Sequence, residues 1–114
     1  MSKEQVQEFF TQFKKDAGKM QQALPEMAKA FQGLFTATMG EGNLDVKTKE
    51  LIALAVGLAV RCEPCVYLHV QKCLAAGAAR EEILEAAAVV VMMQGGPGYT
   101  KIPEILHALD ALDK

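Results

Sequence analysis

The 114-residue chain has no tryptophan, only 6% aromatic residues, and no hydrophobic run near membrane-spanning length. Its longest apolar runs, Leu51–Val60 and Ala86–Met93, are well short of the roughly 20 residues that a spanning helix needs. Basic residues form no cluster and the net charge is −2, which argues against binding to nucleic acid or to anionic membranes. The start, Met1–Gln5, is polar and has no signal-peptide hydrophobic region. We therefore expect a cytoplasmic protein.

Hydrophobic residues make up 51% of the chain, and with so few aromatics the apolar mass is alanine, leucine, valine and methionine. Such residues pack closely between helices, and no strand-like alternation or hairpin signal stands out. A chain of this length suits one domain. The sequence predicts a single all-α domain, a helical bundle that spans residues 1–114.

Apolar periodicity and the positions of glycine and proline predict about six helices. Their expected bounds are Lys3–Ala17, Pro25–Met39, Val46 to about Val60, Glu63–Ala76, Arg80–Gln94 and Pro103–Leu112. Gly18 is expected to end the first helix, and Gly95–Gly98 to break the chain after the fifth. The third helix is apolar nearly all round after Glu50, so we expect it to be buried on several sides.

The residues with the clearest chemistry are Cys62-Glu63-Pro64-Cys65, followed by His69. Two thiols at i, i+3 can form a disulfide, and the N-terminus of a helix stabilises a thiolate. Cys65 and His69 are at i, i+4 and share a helix face, where an imidazole can accept a proton. Glu50 lies on the preceding helix. Spacing alone favours an ordinary exposed charge there, and its contact with the cysteines depends on how the two helices pack.

Other interpretations of these residues remain open. The cysteine pair could be incidental, and Cys73 is expected to fill a helix interface. Cys62, Cys65, His69 and Cys73 resemble a zinc ligand set in composition. However, a continuous helix places Cys62 and Cys73 about 16 Å apart, which one tetrahedral zinc ion cannot span. The sequence also contains no motif for an organic cofactor.

The chain resembles the carboxymuconolactone decarboxylase family, in its alkylhydroperoxidase D-like branch. The pattern E-x11-C-x2-C-x3-H places Glu50, Cys62, Cys65 and His69 in register with that branch. The similar segments lie within a span of about half the chain and are Leu44–Ala55, Cys62–His69, Ala75–Ala78, Arg80–Ile83 and Gly95–Pro97.

This resemblance implies a helical fold that assembles into trimers or hexamers. It also implies a redox site with the cysteine pair as catalytic thiols and with Glu50 and His69 in a proton relay. Such enzymes reduce peroxides and are recycled by dithiols such as lipoamide. The chain departs from the best-known members at Glu63-Pro64, where they carry a second histidine. The decarboxylases that name the family lack the cysteine pair, which argues against lactone decarboxylation.

The prediction from the sequence is therefore a homo-oligomeric thiol oxidoreductase. Its substrate is a peroxide or a disulfide, and its reductant is an external dithiol of the lipoyl or thioredoxin type. By analogy with other C-x-x-C sites, Cys62 is favoured as the attacking thiol and Cys65 as the resolving thiol, with the reverse order left open. The alternatives are a general disulfide reductase and a non-catalytic oligomer whose cysteines only sense oxidation.

Overall fold

The computed structural model describes residues 2–113, which fold into seven helices joined by short turns. In chain order the helices are α1 (Lys3–Ala23), α2 (Pro25–Met39), α3 (Val46–Ala59), α4 (Glu63–Ala75), α5 (Arg80–Gln94), α6 (Gly96–Tyr99) and α7 (Ile102–Leu112). The expected all-α fold is confirmed. The six expected helices are all present, and α6 is one additional turn.

Most helix ends lie where the sequence predicts them. Ser2 and Gln5 form a reciprocal capping box at the start of α1, and the Asp45 side chain accepts the Thr48 N–H at 2.7 Å to begin α3. Pro25 begins α2, where its missing N–H leaves no helical hydrogen bond unmade.

The expected end of α1 at Gly18 is wrong, since α1 continues through Gly18 to Ala23. A glycine inside a helix costs only about 1 kcal/mol, which the surrounding turns of α1 can offset. Leu24 ends the helix instead, with φ −136° and ψ 66°. A proline disfavours helical backbone at the preceding residue, so Pro25 decides this boundary.

The break after α5 is confirmed, but it is shorter than expected. Gly95 has φ +72°, which ends α5, and the chain then enters the single turn of α6. The last helix, α7, begins at Ile102, one residue before the expected Pro103.

The hydrophobic core lies between α3, α4, α5 and α7, with α1 packed against α7. α3 and α4 form its centre, because each contributes several fully buried side chains. The largest of these are Leu54, Leu58, Val66, Tyr67 and Val70, and they meet Val6, Ile83, Ile105 and Leu109 from the surrounding helices.

The expectation that α3 is buried on several sides is wrong within the single chain. One face is buried through Glu50, Leu54, Gly57 and Leu58. The opposite face leaves three large apolar side chains half or more exposed, namely Ile52, Val56 and Val60. A single layer of neighbouring helices covers only one side of α3, so its outer apolar face has no cover within the chain.

Two further apolar surfaces are exposed. On α5 they include Val89, Met92 and Met93, and on α2 they include Met27, Phe31 and Leu34. No residue of α2 is buried. Among residues 2–113, no helix combines the length and the apolarity that crossing a bilayer takes.

Candidate functional site

The cysteine pair lies at the start of α4, as the sequence predicts. Cys62 is the N-cap residue and Cys65 lies in the first turn, and the two sulfurs are bonded to each other. The backbone N–H of Cys65 donates to Cys62 Sγ at 3.2 Å. Helix N-termini carry unpaired N–H groups and a partial positive charge. The structure therefore places Cys62 Sγ where a thiolate would be stabilised.

The turn that presents Cys62 has a defined hydrogen-bond pattern. Cys62 N–H donates to Gly57 O at 2.9 Å, and Arg61 N–H donates to Leu58 O at 3.1 Å. This pair of bonds closes a Schellman motif at the end of α3, with Arg61 in the left-handed conformation at φ 61°. Glycine usually occupies that position. Here the Arg61 guanidinium donates to Pro97 O at 3.1 Å, which ties the turn to α6.

The structure brings Glu50 and His69 together. Glu50 Oε1 lies 2.7 Å from His69 Nδ1, because α3 packs along α4. Glu50 is only 4% exposed, so the expectation of an ordinary exposed charge is wrong. A helix-start carboxylate is usually solvated, and nothing in the spacing of residues 50 and 69 indicated otherwise.

The Glu50–His69 pair has a clear chemical capacity. An ionised carboxylate only accepts hydrogen bonds. Nδ1 of a neutral His69 therefore carries the ring hydrogen and donates a hydrogen bond to Glu50. The other ring nitrogen, Nε2, is then the proton acceptor. A buried carboxylate needs a hydrogen-bond partner, and His69 supplies one for Glu50. His69 itself is partly exposed, with 21% of its side-chain surface accessible.

An open cleft of about 290 Å³ lies beside His69, between the side chains of α2 and the outer surface of α3. Its lining is apolar apart from His69 and Thr38. The other lining residues are Phe31, Leu34, Phe35, Met39 and Ala53. Nothing in the cysteine motif indicates that α2 belongs to the site. The one available signal was the i, i+4, i+8 spacing of Phe31, Phe35 and Met39, which places an apolar stripe on one face.

Two lysines hold α2 beside this cleft. Lys49 Nζ donates to Thr38 O at 2.8 Å and to Gly40 O at 2.7 Å, at the C-terminal end of α2. The Lys72 ammonium lies 4.3 Å from the centre of the Phe35 ring, within the range of a cation–π interaction. The cleft wall is therefore tied to α3 and to α4.

Cys73 fills a helix interface in the core, as expected, and Tyr67 is also buried in the core. Burial raises the pKa of the Cys73 thiol to about 12, and the charge of Glu50 acts in the same direction. Burial also raises the pKa of Tyr67 to about 12, with Glu63 and Glu104 adding to the effect. Both side chains therefore stay protonated at neutral pH, and Cys73 is the free thiol of residues 2–113.

The zinc alternative depends on the path of the helix, and α4 is continuous from Glu63 to Ala75. Cys62 and Cys73 thus stand at opposite ends of a helix, too far apart to bind one ion. Across the described part of the chain, no three His, Cys, Asp or Glu residues are grouped as metal ligands.

Comparison with known proteins places the chain among helical proteins with this architecture. Residues 25–114 match the carboxymuconolactone decarboxylase family. An uncharacterized protein of Cupriavidus necator is 36% identical over 103 residues, which cover 90% of this chain and 91% of that protein. An uncharacterized protein of the Paracoccus denitrificans cox locus is 34% identical over 96 residues, 84% of this chain and 86% of that protein.

Solved structures give the same result. The apo form of a carboxymuconolactone decarboxylase family protein from Legionella pneumophila superimposes with a TM-score of 0.91 at 34% identity, covering 96% of this chain and 98% of that one. A Thermotoga maritima protein of the family superimposes with a TM-score of 0.69 at 34% identity, over 74% and 87% of the two chains. That protein is described as "possibly involved in antioxidative response".

Proposed function

The chain belongs to the carboxymuconolactone decarboxylase family, and from that premise we propose that it is a thiol-dependent peroxidase. The observation that carries the proposal is the Cys62–Cys65 disulfide at the start of α4, on the same helix pair that holds Glu50 against His69. The antioxidative description of the Thermotoga maritima relative supports the same chemistry.

The proposed cycle starts from the reduced pair. The Cys62 thiolate attacks the terminal oxygen of a hydroperoxide, the O–O bond breaks, and the leaving alkoxide takes up a proton to become an alcohol. Cys62 is then a sulfenic acid. The Cys65 thiolate attacks Cys62 Sγ and expels hydroxide, which takes up a proton to leave as water. An external dithiol reduces the resulting disulfide, is itself oxidised to a disulfide, and returns two protons to the cysteines.

Each site residue has a proposed role in this cycle. Cys62 is assigned as the attacking thiol because its sulfur accepts the Cys65 N–H at the helix terminus. Cys65 is the resolving thiol. His69 accepts and returns protons through Nε2, and Glu50 holds the ring in the tautomer that makes this exchange available.

A general disulfide reductase is the second candidate. It is favoured by one observation, which is that the segment between the cysteines holds the exposed Glu63 and Pro64 rather than a histidine. Disulfide exchange needs a nucleophilic thiolate and a resolving thiol, and it needs no additional acid for an alkoxide leaving group.

The test is steady-state peroxide consumption with dihydrolipoamide, reduced thioredoxin and dithiothreitol as separate donors. We expect turnover in the wild type, loss of turnover in Cys62→Ser and Cys65→Ser, and retained turnover in the matched control Cys73→Ser. Turnover of disulfides without peroxides would favour the reductase. A pair that oxidises reversibly but supports neither turnover would contradict both and favour a redox sensor.

We also propose that the chain acts in the cytoplasm as a homo-trimer or homo-hexamer, with the cysteine pair near a subunit interface. The exposed apolar residues of α3, α5 and α2 support this. Such surfaces on a chain of this size mark contact sites. A cysteine pair that must be recycled as a dithiol supports a reducing compartment.

A further inference from the structure

Gly57 lies where α3 packs against the first turn of α4, and its missing side chain leaves the space for Cys65. A Cβ atom placed on Gly57 would lie 2.9 Å from the Cβ of Cys65, a distance that real Cβ atoms essentially never show. The Cys65 Cβ is fixed to the backbone and cannot rotate away. We propose that Gly57 is a positioning residue that sets the approach of α4 to α3 at Cys65, and thereby the equilibrium between disulfide and dithiol forms of the cysteine pair.

This inference rests on the redox function proposed above, and it assigns a specific role to a residue outside the cysteine motif. Gly57 has no backbone reason to be glycine, because it lies inside the helical run of α3. Glycine inside a helix costs about 1 kcal/mol relative to alanine. Two other helical glycines, Gly18 and Gly33, have nothing within 4 Å of an added Cβ. The close approach to Cys65 is what distinguishes Gly57 from them.

A second contact links Gly57 to the other cysteine. The Gly57 carbonyl accepts the Cys62 N–H at 2.9 Å, so one residue of α3 is in contact with both members of the pair. Seven residues earlier on the same helix, Glu50 contacts His69. Since seven residues are about two helical turns, the two contacts lie on one face of α3.

The direction of the effect follows from these tethers. In the disulfide form, Cys65 is bonded to Cys62, and Cys62 is held to the Gly57 carbonyl. Cys65 therefore cannot move away from a methyl group at position 57. Reduction breaks the S–S bond and frees Cys65 from that tether, so the first turn of α4 can relax. A methyl group at position 57 should oppose the disulfide more than the dithiol.

The test is the redox equilibrium of Gly57→Ala, measured anaerobically against mixtures of reduced and oxidised dithiothreitol. Each protein disulfide that gains two electrons and two protons converts one dithiothreitol to its cyclic disulfide, and alkylation followed by mass analysis gives the reduced fraction. We expect a shift of about tenfold toward the dithiol, or about 30 mV for this two-electron couple. Gly18→Ala and Gly33→Ala are the matched controls and should stay within twofold of wild type. A Gly57→Ala equilibrium within twofold of wild type would overturn the inference.

A second variant tests the contact through stability. In the reduced protein, Gly57→Ala should be destabilising, and the loss should largely disappear in a Cys65→Gly background, which removes the opposing Cβ. If Gly57→Ala does not fold, recovery of folding in the double variant supports the contact, and failure of both overturns it.

A wild-type pair that forms no reversible disulfide would overturn the proposed function as well. A reversible wild-type pair with an unchanged Gly57→Ala equilibrium would overturn only the role of Gly57.

Discussion

Replacing the two members of the Glu50–His69 pair should have unequal effects on stability. His69→Ala leaves a carboxylate that is 4% exposed without its partner. Leaving a buried acceptor without its hydrogen-bond donor costs about 1–3 kcal/mol, and more when the acceptor is charged. The His69 side chain is 21% exposed, so water can enter its place, and we expect a loss of about 3 kcal/mol. Glu50→Gln leaves a neutral amide that can still hydrogen-bond to Nδ1, at a cost of about 1 kcal/mol.

Urea unfolding of the reduced proteins at pH 7 and one fixed protein concentration measures this difference, because the stability of an oligomer depends on concentration. The double variant Glu50→Gln with His69→Ala should be more stable than His69→Ala alone, since it removes the stranded charge. The matched control is Glu82→Gln, in the Lys47–Glu82 pair, whose side chains are 34% and 42% exposed. Because this pair is exposed to solvent, the change should cost little. A Glu50→Gln loss equal to that of His69→Ala would refute the reasoning.

Three further predictions concern reactivity, ionisation and assembly. Alkylation of the reduced pair at neutral pH should be fast in wild type and slower in His69→Ala and Glu50→Gln. Native Cys73 should resist alkylation, because burial raises its pKa to about 12. Equal rates in all three proteins would remove Glu50 and His69 from the mechanism. Tyr67→Phe should leave stability at pH 7 unchanged or raise it by about 1 kcal/mol, because the buried Tyr67 hydroxyl has no hydrogen-bond partner in the described residues. Folding raises the pKa of Tyr67 from 10.0 to about 12. The contribution of this shift to the free energy of unfolding is therefore complete below about pH 10 and is lost as the pH rises through 12. Chemical unfolding should show a smaller alkaline loss of stability in Tyr67→Phe. Light scattering should give a trimer or hexamer mass at micromolar concentration. Val56→Glu, on the exposed face of α3, should reduce this mass. A wild-type monomer with full thiol reactivity would contradict the assembly proposal.

Much of the fold follows from local signals in the sequence. Asp45, Pro25 and the cysteine–proline segment each lie at a helix start, where capping and proline geometry act within one turn. Gly18 does not end α1, because a single glycine costs a helix little when a stronger stop follows a few residues later. The exposed outer face of α3 was not foreseen either, since an apolar sequence does not tell whether its cover comes from the same chain.

The site was predictable to a similar extent. The placement of Cys62 and Cys65 at a helix N-terminus follows from spacing and from Pro64. The Glu50–His69 contact does not, because it depends on how α3 lies along α4. Gly57 is another case of this kind, since its importance lies in a contact with a residue eight positions away on a different helix. The spacing of residues along a helix is local information, and the packing of two helices is not.

The loose attachment of α2 has a consequence for hydrogen exchange. None of its residues is buried, and it is linked to α3 and α4 through the Lys49 hydrogen bonds at one end and the Lys72–Phe35 contact near the middle. Segments with few buried contacts open at a lower free energy than the core. In an isolated subunit, the amides of α2 should therefore exchange with deuterium well before those of α4. If a neighbouring subunit covers Phe31 and Leu34, the same amides become protected. The exchange rate of the α2 amides therefore shows whether α2 lies in a subunit interface.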